Sequence, residues 1–349
     1  MTSPILQLQH MLEPLVPLLE DGTEDIAINE PHLAWAHRAG KWLPFEMPAL
    51  DYDSLVDMTT IAAAVSQQHV SARQPLLFTE VPMPDGPKLR LMAILAPAVE
   101  PGKISWTLRQ PSNKIHPVKD VTKRYKTDRW NKWQRRGENR DHSVALTLYD
   151  TGDIEGFLSH MVKARYNVLL CGATGSSKTT MGITCIDDIP LDERIITVEN
   201  AREYELRHRN KVHLIYSQGE QGLAQVTQKD LQRASLRMRP DRVLVQELLD
   251  SDASETYVSA ILSAHPGSIT TLHGRTPSQA FKKLFNMVKS SASGGSQEDD
   301  TVKSMLASAV DVIMPFHSEH GVFSIGETFF APDAARRGET AADLLKDIN

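Results

Sequence analysis

The 349-residue chain is 41% hydrophobic and 23% charged, with a net charge of −6, the balance of an ordinary globular protein with core enough for two domains. A net acidic chain is not built to coat nucleic acid, and two cysteines, Cys171 and Cys185, are too few for a disulfide framework and suit a reducing compartment. No apolar run approaches the about 18 residues of a membrane span, and the opening "MTSPILQLQHMLEPLVPLLEDG" lacks the basic n-region and small-residue cleavage site of a secretion signal.

In chain order, "ILQLQHMLEPLVPLLE" carries leucines at helical spacing and reads as an amphipathic helix interrupted at Pro14. "EDIAINEPHLAW" alternates and turns at Asn29-Glu30-Pro31, which predicts two short strands. "YDSLVDMTTIAAAVSQQH" reads as a helix. "LLFTEVPMPDGPKLRLMAILAPAVEPGKISWTLRQPS" reads as three strands joined by Pro/Gly turns. Residues 1–112 are therefore expected to form a small α+β domain. A linker, 113–150, follows, and "KIHPVKDVTKRYKTDRWNKWQRRGENR" within it holds ten Lys/Arg against three Asp/Glu, with Tyr125, Trp130 and Trp133 interspersed. That strip suits a solvated connector, or a contact with anionic lipid headgroups or a partner. No module for sequence-specific nucleic acid surrounds it.

From 151 to 349 helices and strands alternate. "DIEGFLSHMVKA", a helix starting at Lys178, "QKDLQRASLRM" and "ASETYVSAILSA" are helical; "YNVLLC", "RIITV", "DRVLVQE" and "GSITTL" are strands. Such alternation predicts an α/β fold with a mainly parallel sheet covered on both faces. "SSASGGSQEDD" (290–300) reads as a flexible loop, and the tail past Pro332 as loosely held.

"CGATGSSKTT" lies between a buried strand and a helix and nearly fits the phosphate-loop pattern G-x-x-x-x-G-K-[ST]. Gly172, Thr174, Gly175, Ser176, Ser177 and Thr180 would cradle the phosphates of ATP with backbone N–H groups at a helix N-terminus. Lys178 would neutralise the β- and γ-phosphates, and Thr179 would place its hydroxyl on Mg²⁺. Gly175 is the residue expected to need positive φ; Ser177, where the loop becomes helix, is expected at negative φ, so that its cost is crowding by the Cβ. About 70 residues on, "DRVLVQE" ends a strand in Glu247, placed to order Mg²⁺ or a water. "RIITVENARE" puts Glu199 and Glu203 after another strand, where either could orient or deprotonate the attacking water. His265 and His273 flank "GSITTL" and suit a phosphate-sensing role.

Together, "CGATGSSKTT", "RIITVENAREYEL", "SLRMRPDRVLVQE" and "HPGSITTLHGRTP" resemble, in order and spacing, the secretion traffic ATPases, and most closely their type IV secretion member, the VirB-eleven type. The resemblance is strongest over about 160–285, and "EDIAINEP", "KLRLMAILAP" and "KISWTLRQPS" extend it into the first domain. It implies a RecA-like P-loop ATPase domain behind an α+β domain, a homohexameric ring, and ATP between the two domains with a neighbour contributing. By position, Glu203 and Glu247 match the two acidic-box glutamates, and His265 and His273 the histidine box. Arg90 and Arg109 match arginines that reach the nucleotide, and Arg239 lies in "RMRPDR". The implied function is Mg²⁺-dependent ATP hydrolysis that powers type IV secretion, conjugation and pilus assembly, with other components of the inner-membrane complex as partners. The implied place is the cytoplasm, at the inner membrane. A type II secretion or type IV pilus motor is the close alternative, although two cysteines cannot build the tetracysteine site many such motors carry. The chain departs from the family pattern at Ser177 for Gly, Asn200 for Asp, Gln246 for Gly and Leu249 for Arg. These changes leave room for a nucleotide-binding scaffold that hydrolyses little.

Overall fold

Leucine spacing and proline placement decide the first elements. Helix α1 (Pro4–Leu12) buries Leu8 and Leu12, and at Pro14 the chain tightens into a 3-10 segment, Glu13–Leu18, that buries Leu15 and Leu18. The computed structural model describes residues 3–19, 22–84, 86–111, 117–120, 140–219, 222–263 and 265–346, so most of the basic strip, with Tyr125, Trp130 and Trp133, lies outside the described residues.

Six antiparallel strands follow: β1 (Thr23–Glu30), β2 (Leu33–Arg38), β3 (Lys41–Glu46), β4 (Leu76–Pro82), β5 (Lys88–Ile94) and β6 (Ser105–Arg109), in the order β3-β2-β1-β6-β5-β4. The first turn falls at Pro31-His32, with His32 at φ 65, one residue beyond the sequence expectation. β3 has no counterpart in the sequence reading, because none of its residues is buried and it shows no apolar alternation. Helix α2 (Tyr52–Val65) is capped by Asp51, which accepts the Ser54 N–H. It covers the sheet and meets it through a buried hydrogen bond, Trp106 Nε1 to Thr59 Oγ1 at 2.8 Å.

The second half opens with α3 (Ser143–Thr151) and α4 (Ile154–Lys163). It then alternates β7 (Val168–Gly172), α5 (Lys178–Asp187), β8 (Ile195–Glu199), β9 (Lys211–Ile215), α6 (Gln228–Ser235), β10 (Arg242–Val245), α7 (Ser251–Leu262) and β11 (Ile269–Leu272). Helices α8 (Pro277–Lys289) and α9 (Asp299–Ala309) lead to β12 (Val312–Glu319), β13 (Val322–Ile325), β14 (Phe329–Phe330) and α10 (Ala331–Arg336). The strands pair in two ladders, β10-β8-β9 and β11-β7-β12-β13, which a parallel bridge between Glu247 and Thr271 joins. From β9 through β12 all pairings are parallel, the predicted α/β architecture. Every parallel strand therefore ends on one edge, and β7, β8 and β10 deliver Gly172, Glu199 and Glu247 to it.

Two expectations about the C-terminal part are corrected. Residues 290–300 are not an open loop: Ser291 is buried, a Cβ on Gly294 would meet the Val288 carbonyl, and α9 starts at Asp299. Of the tail past Pro332, the described residues, 333–346, are docked. Ala334 and Ala341 are buried, Arg336 pairs with Asp150 at 2.7 Å, and Phe330 packs edge-on against Phe157 and Tyr166. These anchors lie far apart in sequence, so no local pattern announces them.

The two sheets are not independent bodies. Met92, Ile94, Ala98 and Val99 share one core with β8, β9 and β10, and Val99 bridges to Leu214. Arg194, at the start of β8, is fully buried at this junction. It donates to Asn29 Oδ1 (2.8 Å), the Met238 carbonyl (3.0 Å) and Asn210 Oδ1, and lies over the Trp42 ring.

Candidate active site

The loop from Gly172 to Thr180 closes over the end of β7. Gly172 has no room for a side chain, since a Cβ there would lie 2.4 Å from both the Phe316 carbonyl oxygen and Ser176 Oγ. Gly175 has φ 77, the positive φ expected of it, in open space. Ser176 is buried, and its hydroxyl donates to the Ala173 carbonyl at 2.8 Å. Thr174 and Thr180 are exposed. Helix α5 starts at Lys178, and the first N–H groups of a helix have no intrahelical acceptor. The loop therefore offers an anion a set of free donors at the positive end of the helix dipole.

Ser177 corrects the sequence expectation. It sits at φ 68, ψ 21, in the left-handed region, not at negative φ. The cost of Ser in place of Gly is thus backbone strain, about 1–2 kcal/mol for a residue with a Cβ. Ser177→Gly is expected to relieve it and to stabilise the fold by up to about 1 kcal/mol, after allowance for the greater freedom of glycine in the unfolded chain. Urea denaturation checks this; a less stable variant would contradict it.

Lys178 is buried, and its Nζ donates to the carbonyls of Gly172 (3.0 Å) and Ala173 (2.8 Å). Burial holds its ammonium below the ordinary lysine range, and the charge of Glu247 opposes that shift. Glu247 is partly buried at the end of β10, with Oε1 3.1 Å from His273 Nε2. Lys178, Glu247 and His273, from three separate motifs, thus converge at the C-terminal edge of the sheet. Thr179 is half-buried, and its hydroxyl makes no hydrogen bond among the described residues, whereas Thr184 one turn on bonds back to the Thr180 carbonyl.

Glu199 and Glu203, alternatives in the sequence, have different surroundings. Glu199 is fully buried and its carboxylate is saturated. It accepts from Thr197 Oγ1 (2.5 Å), His213 Nδ1 (2.9 Å), and the N–H groups of Glu203 (2.9 Å) and Tyr204 (2.8 Å). Burial would raise its pKa, but these hydrogen bonds outweigh it and hold the carboxyl below the ordinary range. Glu199 is thereby a brace for the loop that carries Glu203, which is exposed. The brace is missing from the sequence reading; its only trace there is a pair of polar residues, Thr197 and His213, inside otherwise apolar strands.

The remaining candidates lie elsewhere in the chain. Arg90 and Arg109 are cross-strand partners on β5 and β6, both exposed. Arg109 approaches buried Asp25 (3.8 Å), which also meets Arg239 (3.4 Å) just before β10. Burial raises the pKa of Asp25 against the pull of both arginines. Arg109 and Arg239 are therefore at the N-terminal edge of the parallel sheet, the length of β10 away from Glu247. His265 precedes β11 and lies at that same edge, while His273 follows it. Leu249 is exposed past the end of β10, and nothing in the structure explains it.

The family described as "Type II/IV secretion system protein" matches residues 141–317, a span that includes the loop and both acidic strand ends. Protein VirB11 of Agrobacterium fabrum is 48% identical over 343 residues, which cover 97% of this chain and 98% of the relative. The chain belongs to the VirB11 family. Type IV secretion system protein VirB11 of Bartonella quintana is 36% identical over 92% of each chain. The crystal structure of the VirB11 ATPase from the Brucella suis type IV secretion system, in complex with sulphate, superposes with a TM-score of 0.87 at 29% identity, covering 96% of this chain and 97% of that one. This VirB11-family chain is therefore a nucleotide-binding type IV secretion ATPase, as its motifs imply.

Proposed function

We propose that the chain hydrolyses the β–γ anhydride of ATP at the Gly172–Thr180 loop and uses the energy to drive a type IV secretion or conjugation apparatus, including pilus assembly, from the cytoplasmic face of the inner membrane. The observation that carries this reading is the convergence of Lys178, Glu247 and His273 beside a helix N-terminus at the ends of parallel strands. In a RecA-like core that is where phosphates belong. Lys178 would exchange its two carbonyl partners for phosphate oxygens. Glu203, held out on a braced loop, would orient or deprotonate the attacking water.

The Thr179 hydroxyl and the Glu247 carboxylate are hard oxygen donors, the kind Mg²⁺ selects. The free Thr179 hydroxyl fits that role, and the ion would supply charge neutralisation between β- and γ-phosphates. Among the described residues no helix is long and apolar enough to cross a membrane. Attachment at the membrane would then come from partner components and from the basic strip on anionic lipid.

The reading includes a closed ring of six. Arg90 and Arg109 are exposed and stand away from the loop of their own chain, and in a ring they would serve the nucleotide of an adjoining subunit. Mass photometry of the purified chain with Mg²⁺ and ATP is expected to show hexamers. Monomers alone across all nucleotide states and concentrations would overturn the ring and with it the role of these arginines.

A further inference from the structure

Two residues at which the chain leaves the family pattern, Asn200 and Gln246, meet in space. Gln246, at the end of β10 and next to Glu247, is buried. Its side-chain Oε1 accepts the backbone N–H of Asn200 at 3.0 Å. Its own N–H donates to the Val198 carbonyl (3.0 Å), and its carbonyl accepts from Thr271 Oγ1 (3.0 Å). The side chain thus spans from the strand that carries Glu247 to the first residue after β8.

The loop after β8 is consequently held at three points, one of them the ion pair of Arg202 Nε with Glu100 Oε1 at 3.1 Å. The Glu199 carboxylate gathers the N–H groups of Glu203 and Tyr204, and the Gln246 amide takes that of Asn200. Asn200 contributes only its backbone, so the bond depends on residue 246 having an acceptor of glutamine length. Without it, the Asn200 N–H loses its tie to β10 and the start of the turn is released, while Glu199 and the Arg202–Glu100 pair hold only the residues after it.

We propose that Gln246 is a positioning residue for hydrolysis: by holding Asn200 it fixes the loop that carries Glu203 in register with Glu247. The inference rests on the proposed reading of Glu203 as the group that orients the attacking water and of Glu247 as the Mg²⁺ carboxylate beside it. A group held about 1 Å off its productive position loses rate without losing the phosphate contacts of the loop, so the effect falls on kcat and not on nucleotide affinity.

The test uses the full-length chain with three variants. Gln246→Met fills the space of the amide without an acceptor, and Gln246→Ala removes it altogether should the first variant fold poorly. Both are expected to lower kcat for ATP three- to tenfold while the dissociation constant of ADP stays within twofold. Backbone hydrogen exchange at 200–204 is expected to accelerate, with the remaining strands unchanged. Glu203→Gln is expected to lower kcat at least tenfold. Wild-type kcat or wild-type exchange at 200–204 in both Gln246 variants would overturn the positioning role while leaving Glu203 in place. Wild-type kcat in Glu203→Gln would instead remove the reading on which the inference stands, and the inference with it.

Discussion

Replacing Lys178 with Ala is expected to weaken ATP binding at least a hundredfold while leaving the melting temperature within a few degrees of wild type. The two outcomes have separate physical causes. The ammonium lies inside the loop, bonded to the Gly172 and Ala173 carbonyls, partners it would exchange for phosphate oxygens when ATP binds. Charge-assisted contacts to phosphate are strong in a partly buried site, and about 2.7 kcal/mol corresponds to a hundredfold. Fold stability behaves differently because burial disfavours the charged form. A cation whose native pKa lies below its unfolded value destabilises the fold while protonated, and that cost fades only as pH rises from the lowered pKa towards 10.5. At neutral pH the substitution removes this cost and the two carbonyl bonds together, and the two changes oppose each other. Titration calorimetry with ATP, beside a thermal melt, checks both halves. A variant that binds like wild type would mean that the loop is not the phosphate site.

The second large effect concerns the fold. Arg194→Ala is expected to destabilise the chain by about 3 kcal/mol, in the range for removing one member of a buried charged network. The guanidinium is fully buried between the two sheets and joins Asn29 and Trp42 of the first to Asn210 and Met238 of the second. Asn29 Nδ2 donates to Asn210 Oδ1 at 2.9 Å independently of Arg194, but in the variant the Met238 carbonyl would lose a donor, Trp42 its cation, and a cavity would remain. Urea denaturation followed by fluorescence and by circular dichroism measures the loss. A change below about 1 kcal/mol would show that the shared apolar core, and not Arg194, holds the sheets together.

Much of this architecture was legible in the residues. The helix–strand alternation after residue 151 predicted the parallel sheet, because buried parallel strands are short apolar runs that must be joined by crossovers. Lys178, Glu247 and His273 could be placed together because each follows or ends such a strand. Part of what escaped had no local signal, although β9, α8 and β12, also absent from the sequence reading, carry one. β3 is an edge strand without alternation, and the C-terminal anchors depend on contacts with residues nearly two hundred positions away. A side chain makes positive φ costly, so the sequence places Ser177 at negative φ, yet the loop imposes φ 68. The strand pattern leaves Glu199 and Glu203 open and the family resemblance selects Glu203; burial and four hydrogen bonds are what make Glu199 a brace beside an exposed Glu203. Arg239 stands in a motif close to Glu247 in sequence and lies at the other end of the same strand.

The central claim is that this chain turns over ATP at the Gly172–Thr180 loop despite Ser177. Steady-state phosphate release by the purified full-length protein with Mg²⁺-ATP, with Lys178→Ala prepared identically as the blank, tests it most directly. The account predicts release that is proportional to wild-type protein, saturates with ATP, and falls to the no-protein background in the variant. Equal rates from wild type and Lys178→Ala, whether both at background or both above it, would contradict it.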